Sequence, residues 1–258
     1  MTSAPRPRLV RPRPVPAPAV RIFLFHHAGG SHLFYRDWVP LFPDDWEVVL
    51  VEAPSRVLSS RQPQCADLAV LVGLFREELR PWLERPYVFF GHSMGALAAT
   101  EVTRLLHDEG ESGPLWIGLS AWTTVPVHAR PGAGRHLLPD DELRALLAGV
   151  GGTPSEVLNN ERLWRFCSPA IRHDFRLIDT RGPALGTTAA DVPQSLFGGE
   201  QDTLLPSTEL VALAARLPRL TGLHLYPGDH FYLRPHSRDV VRRITADVGS
   251  VRSAGTEH

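Results

Sequence analysis

Residues 87–102, YVFFGHSMGALAATEV, pass from a strand into a helix through a Gly-x-Ser-x-Gly step. The aromatic, β-branched run YVFFGH reads as a buried strand and GALAATEV opens a helix, a junction that needs a sheet for the helix to cover. Gly91 and Gly95 lack Cβ atoms, so strand and helix can approach while Ser93 is held in a strained backbone conformation with its hydroxyl exposed. The spacing alone is weak: in a chain of this glycine and serine content it arises by chance roughly one time in ten. Its place at a strand-to-helix turn is what makes Ser93 a candidate nucleophile.

The rest of the chain supplies the sheet. From Arg21 onward RIFLFH, WEVVLV, PYVFFG, LWIGLS and PQSLFGG are short apolar runs bounded by Gly, Pro or polar residues. Helical stretches lie between them, at 66–80 and at 95–107, the second followed by Gly110 as a stop. This alternation predicts an α/β fold, a mostly parallel central sheet with helices on both faces. From Arg135 to about Arg181 no strand is evident and PDDELRALLAG, PSEVLNNERLWRFC and SPAIRHDFRLIDT read as helices. Asp140, Asp141 and Glu142 give an acidic first turn, and Leu143, Leu146 and Leu147 an apolar stripe. The block reads as an inserted helical lid over about 135–181. The domain itself is expected over 21–250, and 251–258 as a frayed C-terminus.

Composition narrows the function. The 27 basic residues, all Arg, nearly cancel 28 acidic ones to a net charge of −1, so no global field recruits nucleic acid. Cys65 and Cys167 are too few for a disulfide framework, which fits reduced thiols in a cytoplasm. The first twenty residues carry six prolines and four arginines without the unbroken apolar run of a signal peptide or membrane span. An extended, disordered tail over 1–20 is the expectation.

A serine hydroxyl is a weak nucleophile until a base takes its proton, so Ser93 needs a later histidine oriented by a carboxylate. Asp202 lies just beyond the strand QSLFGG, and His230 follows the strand LHLY, 28 residues after Asp202. That interval holds one helix and one strand, which returns the chain to the same sheet edge. The order Ser, Asp, His is that of an α/β-hydrolase fold. Asp229 is the competing acid, poorly placed to bond the ring of its own neighbour. Attack on a carbonyl also builds an oxyanion that needs two backbone donors. The Met94 amide, at the helix N-terminus, is one. The glycine loop in FLFHHAGGS offers the other, from Ala28 as first choice and Gly29 as second. His26, His27 and His32 raise metal ligation as a rival, without a further carboxylate or cysteine cluster to support it.

Taken together, these segments resemble one family. From about residue 21 to 245 the chain is similar to the type II thioesterases, discrete α/β-hydrolases that accompany modular polyketide synthases and nonribosomal peptide synthetases. FHHAGGS resembles the family's Phe-Pro-His-Ala-Gly-Gly-Ser loop, GHSMGALAA its elbow, and GGEQD and GDHFYL its acid and histidine segments. LPDDELRALLAGVGGTPSEVLNNERL with PAIRHDFRLIDT resembles its lid helices, the most family-specific part. The resemblance implies Ser93 as nucleophile, His230 as general base, Asp202 as its orienter, and the amides of Ala28 and Met94 as the oxyanion hole. It implies hydrolysis of acyl groups from the phosphopantetheine arm of an acyl or peptidyl carrier protein, to clear stalled or mis-primed chains. No cofactor or metal of the enzyme's own is expected. Two departures stand out: His26 where the family has Pro, and Pro54-Ser55-Arg56 where it has Pro-Gly-Arg.

Two features of the lid bear on partner and substrate. Arg162, Arg165, Arg172, Arg176 and Arg181, interleaved with Glu161, Asp174 and Asp179, form either a docking face for an acidic carrier or a solvated face of mixed charge. Leu163, Trp164 and Phe166 line an acyl channel or belong to the core. An intracellular carboxylesterase, an acyltransferase or cyclase using the same triad, and a catalytically silent carrier binder are the competing readings. A cytoplasmic monomer, bound to neither nucleic acid nor membrane, is the default.

Overall fold

Strands covered on both faces must be apolar on both, and here the burial is complete along most of the sheet. Every residue is buried in β2 (Val20–Phe25), β3 (Trp46–Glu52), β4 (Tyr87–His92), β5 (Ile117–Ser120) and β6 (Gln194–Gly199). The computed structural model describes residues 4–56, 62–124, 134–180 and 191–255. With β1 (Arg8–Val10) and β7 (Leu220–Tyr226), the strands form a seven-stranded sheet in the order β1-β3-β2-β4-β5-β6-β7. All neighbours are parallel except β1 and β3. This is the α/β-hydrolase arrangement that the alternation and the residue order predict.

Alternate residues of each strand feed two cores. Phe23, Phe25, Val49, Val51 and Phe89 pack with α1 (Leu68–Leu79), α2 (Met94–Asp108) and α6 (Ser207–Ala214) on one face. Ile22, Leu24, Val48, Leu50 and Phe90 pack on the other with α7 (Ser237–Gly255) and the 3-10 segment His32–Leu41. The lid follows β5 as a 3-10 turn at Arg135–Leu137, then α3 (Asp140–Val150), α4 (Ser155–Asn159) and α5 (Glu161–Asp179). ERLWRFC and SPAIRHDFRLID are one helix, with Pro169 inside it. The lid has its own apolar cluster, in which Leu143, Trp164, Ile171 and Phe175 meet Met94 and Ala28 of the domain beneath.

Both termini correct the sequence expectation. The tail expected to be disordered over 1–20 contributes β1, whose Arg8, Leu9 and Val10 pair with Glu52, Val51 and Leu50. Its arginines find acceptors along the flank of the sheet. Arg11 Nε donates to the buried Glu47 at 2.7 Å, and Arg13 donates to Asp44 at 2.8 Å and to the Pro43 carbonyl at 2.7 Å. Composition registered the low hydrophobicity of this segment but not these partners. At the other end, the stretch expected to fray from 251 continues α7 to Gly255, with Val251 against the core. Residues 1–3, 256–258 and the lid boundary at Arg181 lie outside the described residues.

The elbow glycines are set by contact. A Cβ on Gly95 falls 2.1 Å from the Phe25 carbonyl oxygen, and one on Gly91 falls 2.2 Å from the Gly95 carbonyl. Gly73 of α1 has nothing within 4 Å of its added Cβ. Gly95→Ala therefore lowers unfolding free energy by about 2 kcal/mol or more. Gly73→Ala raises it by about 0.5–1 kcal/mol through helix propensity. Urea denaturation of both variants checks the contrast.

Candidate active site

Ser93 occupies the turn between β4 and α2 with φ 55° and ψ −114°, a conformation that a side chain rarely tolerates. Its backbone is fastened from both sides. Its N–H donates to Ser120 O at 2.8 Å, and its carbonyl accepts from Ala96 and Leu97 at 3.1 and 3.2 Å. Although it sits at the N-cap of α2, its hydroxyl makes no capping bond, so the Oγ is not spent on the helix.

The loops after β6 and β7 bring Asp202 and His230 together. Asp202 Oδ2 accepts from His230 Nδ1 at 2.7 Å, and both residues are buried. Asp202 Oδ1 accepts from the backbone of Leu204 at 2.8 Å and of Leu205 at 3.0 Å, which fixes the carboxylate plane. An acceptor on Nδ1 leaves Nε2 as the nitrogen with the free lone pair. The competing acid, Asp229, uses Oδ1 to accept from Phe231 N at 2.7 Å, an Asx turn within its own loop. No hydrogen bond joins Ser93 Oγ to His230 among the described residues; the ring of His92, the residue before Ser93, lies 4.9 Å from that of His230. Such bonds commonly form only once substrate is bound.

The two candidate oxyanion donors of the glycine loop differ in a decisive way. Gly29, the second choice, donates its N–H to Asp174 Oδ2 at 2.7 Å. The N–H groups of Ala28 and Met94 meet no protein acceptor among the described residues. Both residues border the same lid cluster.

The three loop histidines do not converge on a point. His26 donates from Nδ1 to His27 O at 2.8 Å and accepts from Ala53 N at Nε2, 3.2 Å. Burial, then Arg56, lowers its pKa to about 4. His27 donates from Nδ1 to Ala28 O at 2.8 Å, and burial followed by His26 lowers it to about 3. His32 pairs with Glu52 instead. Among the described residues no group of three His, Cys, Asp or Glu side chains is arranged to hold a metal.

The departures noted in the sequence have structural counterparts. His26 spans from the glycine loop to the backbone after β3, a bond that a proline ring cannot make. Ser55 takes φ 63°, the left-handed region that a glycine enters without cost, and its Oγ donates to Gln62 O at 2.7 Å.

Sequence reasoning passed over His92, the variable position of the elbow motif. Its fully buried ring bonds Ser120 Oγ through Nδ1 at 2.8 Å, and Ser120 Oγ bonds Tyr232 OH at 2.6 Å. Burial first, then His230 and His27, pushes its pKa well below the usual imidazole range. Its place beside Ser93, and that of Tyr232 beside His230, were the available signals.

In the lid, Trp164 is fully buried, whereas Leu163 and Phe166 are 40% and 74% exposed. Trp164 is therefore core, and the other two face solvent. Arg172 donates to the carbonyls of His136 and Leu138 at 3.1 and 2.6 Å, and Arg176 to Cys65 O at 3.2 Å. Arg172 thus bonds within the lid and Arg176 ties α5 to the domain beneath; Arg176, Arg162 and Arg165 are all exposed, the last paired with Glu161 at 3.5 Å.

Comparison with known proteins bears on the fold and the family. The family model described as a thioesterase domain matches residues 20–248. The probable cadicidin biosynthesis thioesterase of Streptomyces griseus is 35% identical over 258 residues, spanning 95% of this chain and 67% of the relative. The linear gramicidin dehydrogenase LgrE of Brevibacillus parabrevis is 30% identical over 251 residues, spanning 94% and 92%. The structure of BorB, the type II thioesterase of the borrelidin biosynthetic cluster, superposes with a TM-score of 0.80 at 30% identity, over 93% of this chain and 97% of that one. The chain thus belongs to the thioesterase family: it is a thioester hydrolase of the α/β-hydrolase fold, akin to the type II thioesterases of polyketide and nonribosomal peptide biosynthesis.

Proposed function

We propose that this chain is a serine thioesterase that removes acyl groups from the phosphopantetheine arm of carrier-protein domains, editing stalled or mis-primed chains in a polyketide or nonribosomal peptide pathway. One observation carries the reading. A serine in strained backbone at a strand-to-helix turn is followed, across the sheet, by a buried histidine whose Nδ1 is bonded to a carboxylate at 2.7 Å. The dehydrogenase named for one relative is a statement about that protein. A serine, a histidine–carboxylate pair and two amides without acceptors are the parts of acyl transfer.

In this mechanism Ser93 Oγ attacks the thioester carbonyl as His230 Nε2 takes its proton. The Ala28 and Met94 amides receive the developing oxyanion, and the C–S bond breaks as the His230 imidazolium passes its proton to the departing sulfur, releasing the pantetheine thiol. A thiol with a pKa near ~8.5 leaves without the full protonation an amine requires. Water, deprotonated by His230, then cleaves the acyl-serine to free acid and restores Ser93. Asp202 holds the imidazole in the working tautomer and stabilises the imidazolium. His92 is kept neutral by burial, so it does not oppose that charge. The acidic carrier's docking face is open to the exposed Arg162 and Arg165, while Arg172 and Arg176 serve the lid.

The first test incubates wild type and Ser93→Ala with acetyl, propionyl and longer acyl groups on a carrier protein, following free acid and holo-carrier by intact mass. Hydrolysis by wild type alone is the expected result. Equal inactivity of both on every chain redirects the reading to oxygen esters, other acyl acceptors or a binding role. Asp202→Asn lowers kcat by about 10³–10⁴-fold through the wrong tautomer, whereas Asp229→Asn stays within about tenfold of wild type. Steady-state kinetics on a small acyl thioester separates the two acids.

A further inference from the structure

The bond that withdraws Gly29 from the oxyanion donors has its acceptor on the lid. Asp174 lies on α5, 145 residues further along the chain, and is fully buried. Its Oδ2 takes the Gly29 N–H at 2.7 Å, and its Oδ1 pairs with the Arg56 guanidinium and lies 3.3 Å from His173 Nδ1. Arg56 in turn donates from Nε to Gly30 O at 3.2 Å and from Nη1 to the carbonyls of Pro54 and Ser55, each at 3.3 Å. One buried ion pair therefore holds the Gly29 N–H with its anion and the Gly30 carbonyl with its cation. Ile171, one turn earlier on α5, closes the same spot: a Cβ on Gly29 would fall 2.6 Å from its Cγ1.

Burial alone would favour the neutral acid. The Arg56 charge, with His173 and the Gly29 N–H, outweighs it and holds the Asp174 carboxyl below the usual carboxylate range. A buried pair of this kind gains little over apolar packing, so its value lies in the geometry it imposes. That geometry bears on Ala28, whose amide immediately precedes that of Gly29 in the same loop. The Gly29 N–H and the Ala28 carbonyl belong to one peptide plane, and that plane is held on both sides, by Asp174 at 2.7 Å and by His27 Nδ1 at 2.8 Å.

We propose that Asp174 is a positioning residue for the oxyanion hole: through Gly29 it holds the Ala28 amide in its donor direction, so that lid helix α5 and the hole form one mechanical unit. The proposal rests on the reading of Ser93 and Ala28 given above. Displacement of α5 removes the acceptor of Gly29 and disassembles the hole in the same event. The lid thereby sets when the enzyme is competent as well as what it admits.

The test uses Arg56→Met/Asp174→Leu, which removes both charges together, and Asp174→Asn, which keeps an acceptor oxygen. Each is measured for thermal unfolding, for kcat and KM on a small acyl thioester, and for inhibition by an alkyl boronic acid whose tetrahedral Ser93 adduct places an oxygen in the hole. The double variant is expected to fold, to lose about 10- to 100-fold in kcat with KM within about threefold, and to lose boronate affinity by a similar factor. Should it fail to fold, Asp174→Asn carries the test, with about a 5- to 10-fold loss in kcat and boronate affinity expected. A folded variant with kcat and boronate affinity both within twofold of wild type overturns the proposal. Ser93→Ala is run alongside: if it is inactive while the Asp174 variants are normal, this inference alone fails. If it hydrolyses like wild type, the site reading fails with it.

Discussion

A contact between main chains sets the geometry of this enzyme. The first turn of α2 lies so close to the end of β2 that no side-chain atom fits between Gly95 and the Phe25 carbonyl. Because β2 and β4 are hydrogen-bonded neighbours, with Phe25 opposite Gly91, the loop that follows β2 emerges beside the residue that follows β4. Ala28 and Met94 thereby come to border the same lid cluster through the order of strands. The strands on the other side of β4, by way of β5, deliver Asp202 and His230 at the same carboxyl ends of the sheet, where loops of a parallel sheet converge.

Electrostatics in this corner are managed by removing charge. His26, His27 and His92 are each buried, and each has its pKa drawn down, to about 4 and about 3 for the first two and well below the usual range for the third. A cation on His92 at the 4.9 Å separation from His230 would oppose an imidazolium by about 3 kcal/mol at an effective dielectric of about 20. A neutral ring imposes no such penalty. The Asp202 carboxylate, with two amides on one oxygen and the imidazole on the other, has its lone pairs directed before any charge develops. The Asp202–His230 pair is thereby oriented in advance.

What the sequence disclosed and what it withheld divide along a physical line. The strands β2 to β6 are apolar on both faces, so their runs stand out, and the elbow carries its own contacts in Gly91 and Gly95. Ser93, Asp202 and His230 each follow a legible strand, which is why chain order singled them out as candidates; the structure joins the last two by a hydrogen bond. Asp174 and Arg56 follow no pattern: their ion pair joins positions 118 residues apart, and each residue read alone belongs to a charged lid face or a loop. The sequence ranked Ala28 ahead of Gly29 as a donor but could not give the reason, the Asp174 acceptor in the lid that takes the Gly29 N–H. Arg172 and Arg176 looked like surface charge because helical spacing shows which face a side chain takes but not the carbonyls of His136, Leu138 and Cys65 that meet it.

The N-terminal segment also has a consequence for the solubility of the protein. Without Arg8–Val10, the last three residues of β3, Leu50–Glu52, would present unpaired amides and carbonyls on that side, a template for another chain. The segment occupies that side and ends the ladder itself: it is three residues long, prolines at 7 and 12 bracket it, and arginines crowd its outer margin. The family match begins at residue 20, after this guard. A domain cut at that boundary would retain Ser93, Asp202 and His230 and expose an aggregation-prone strand end.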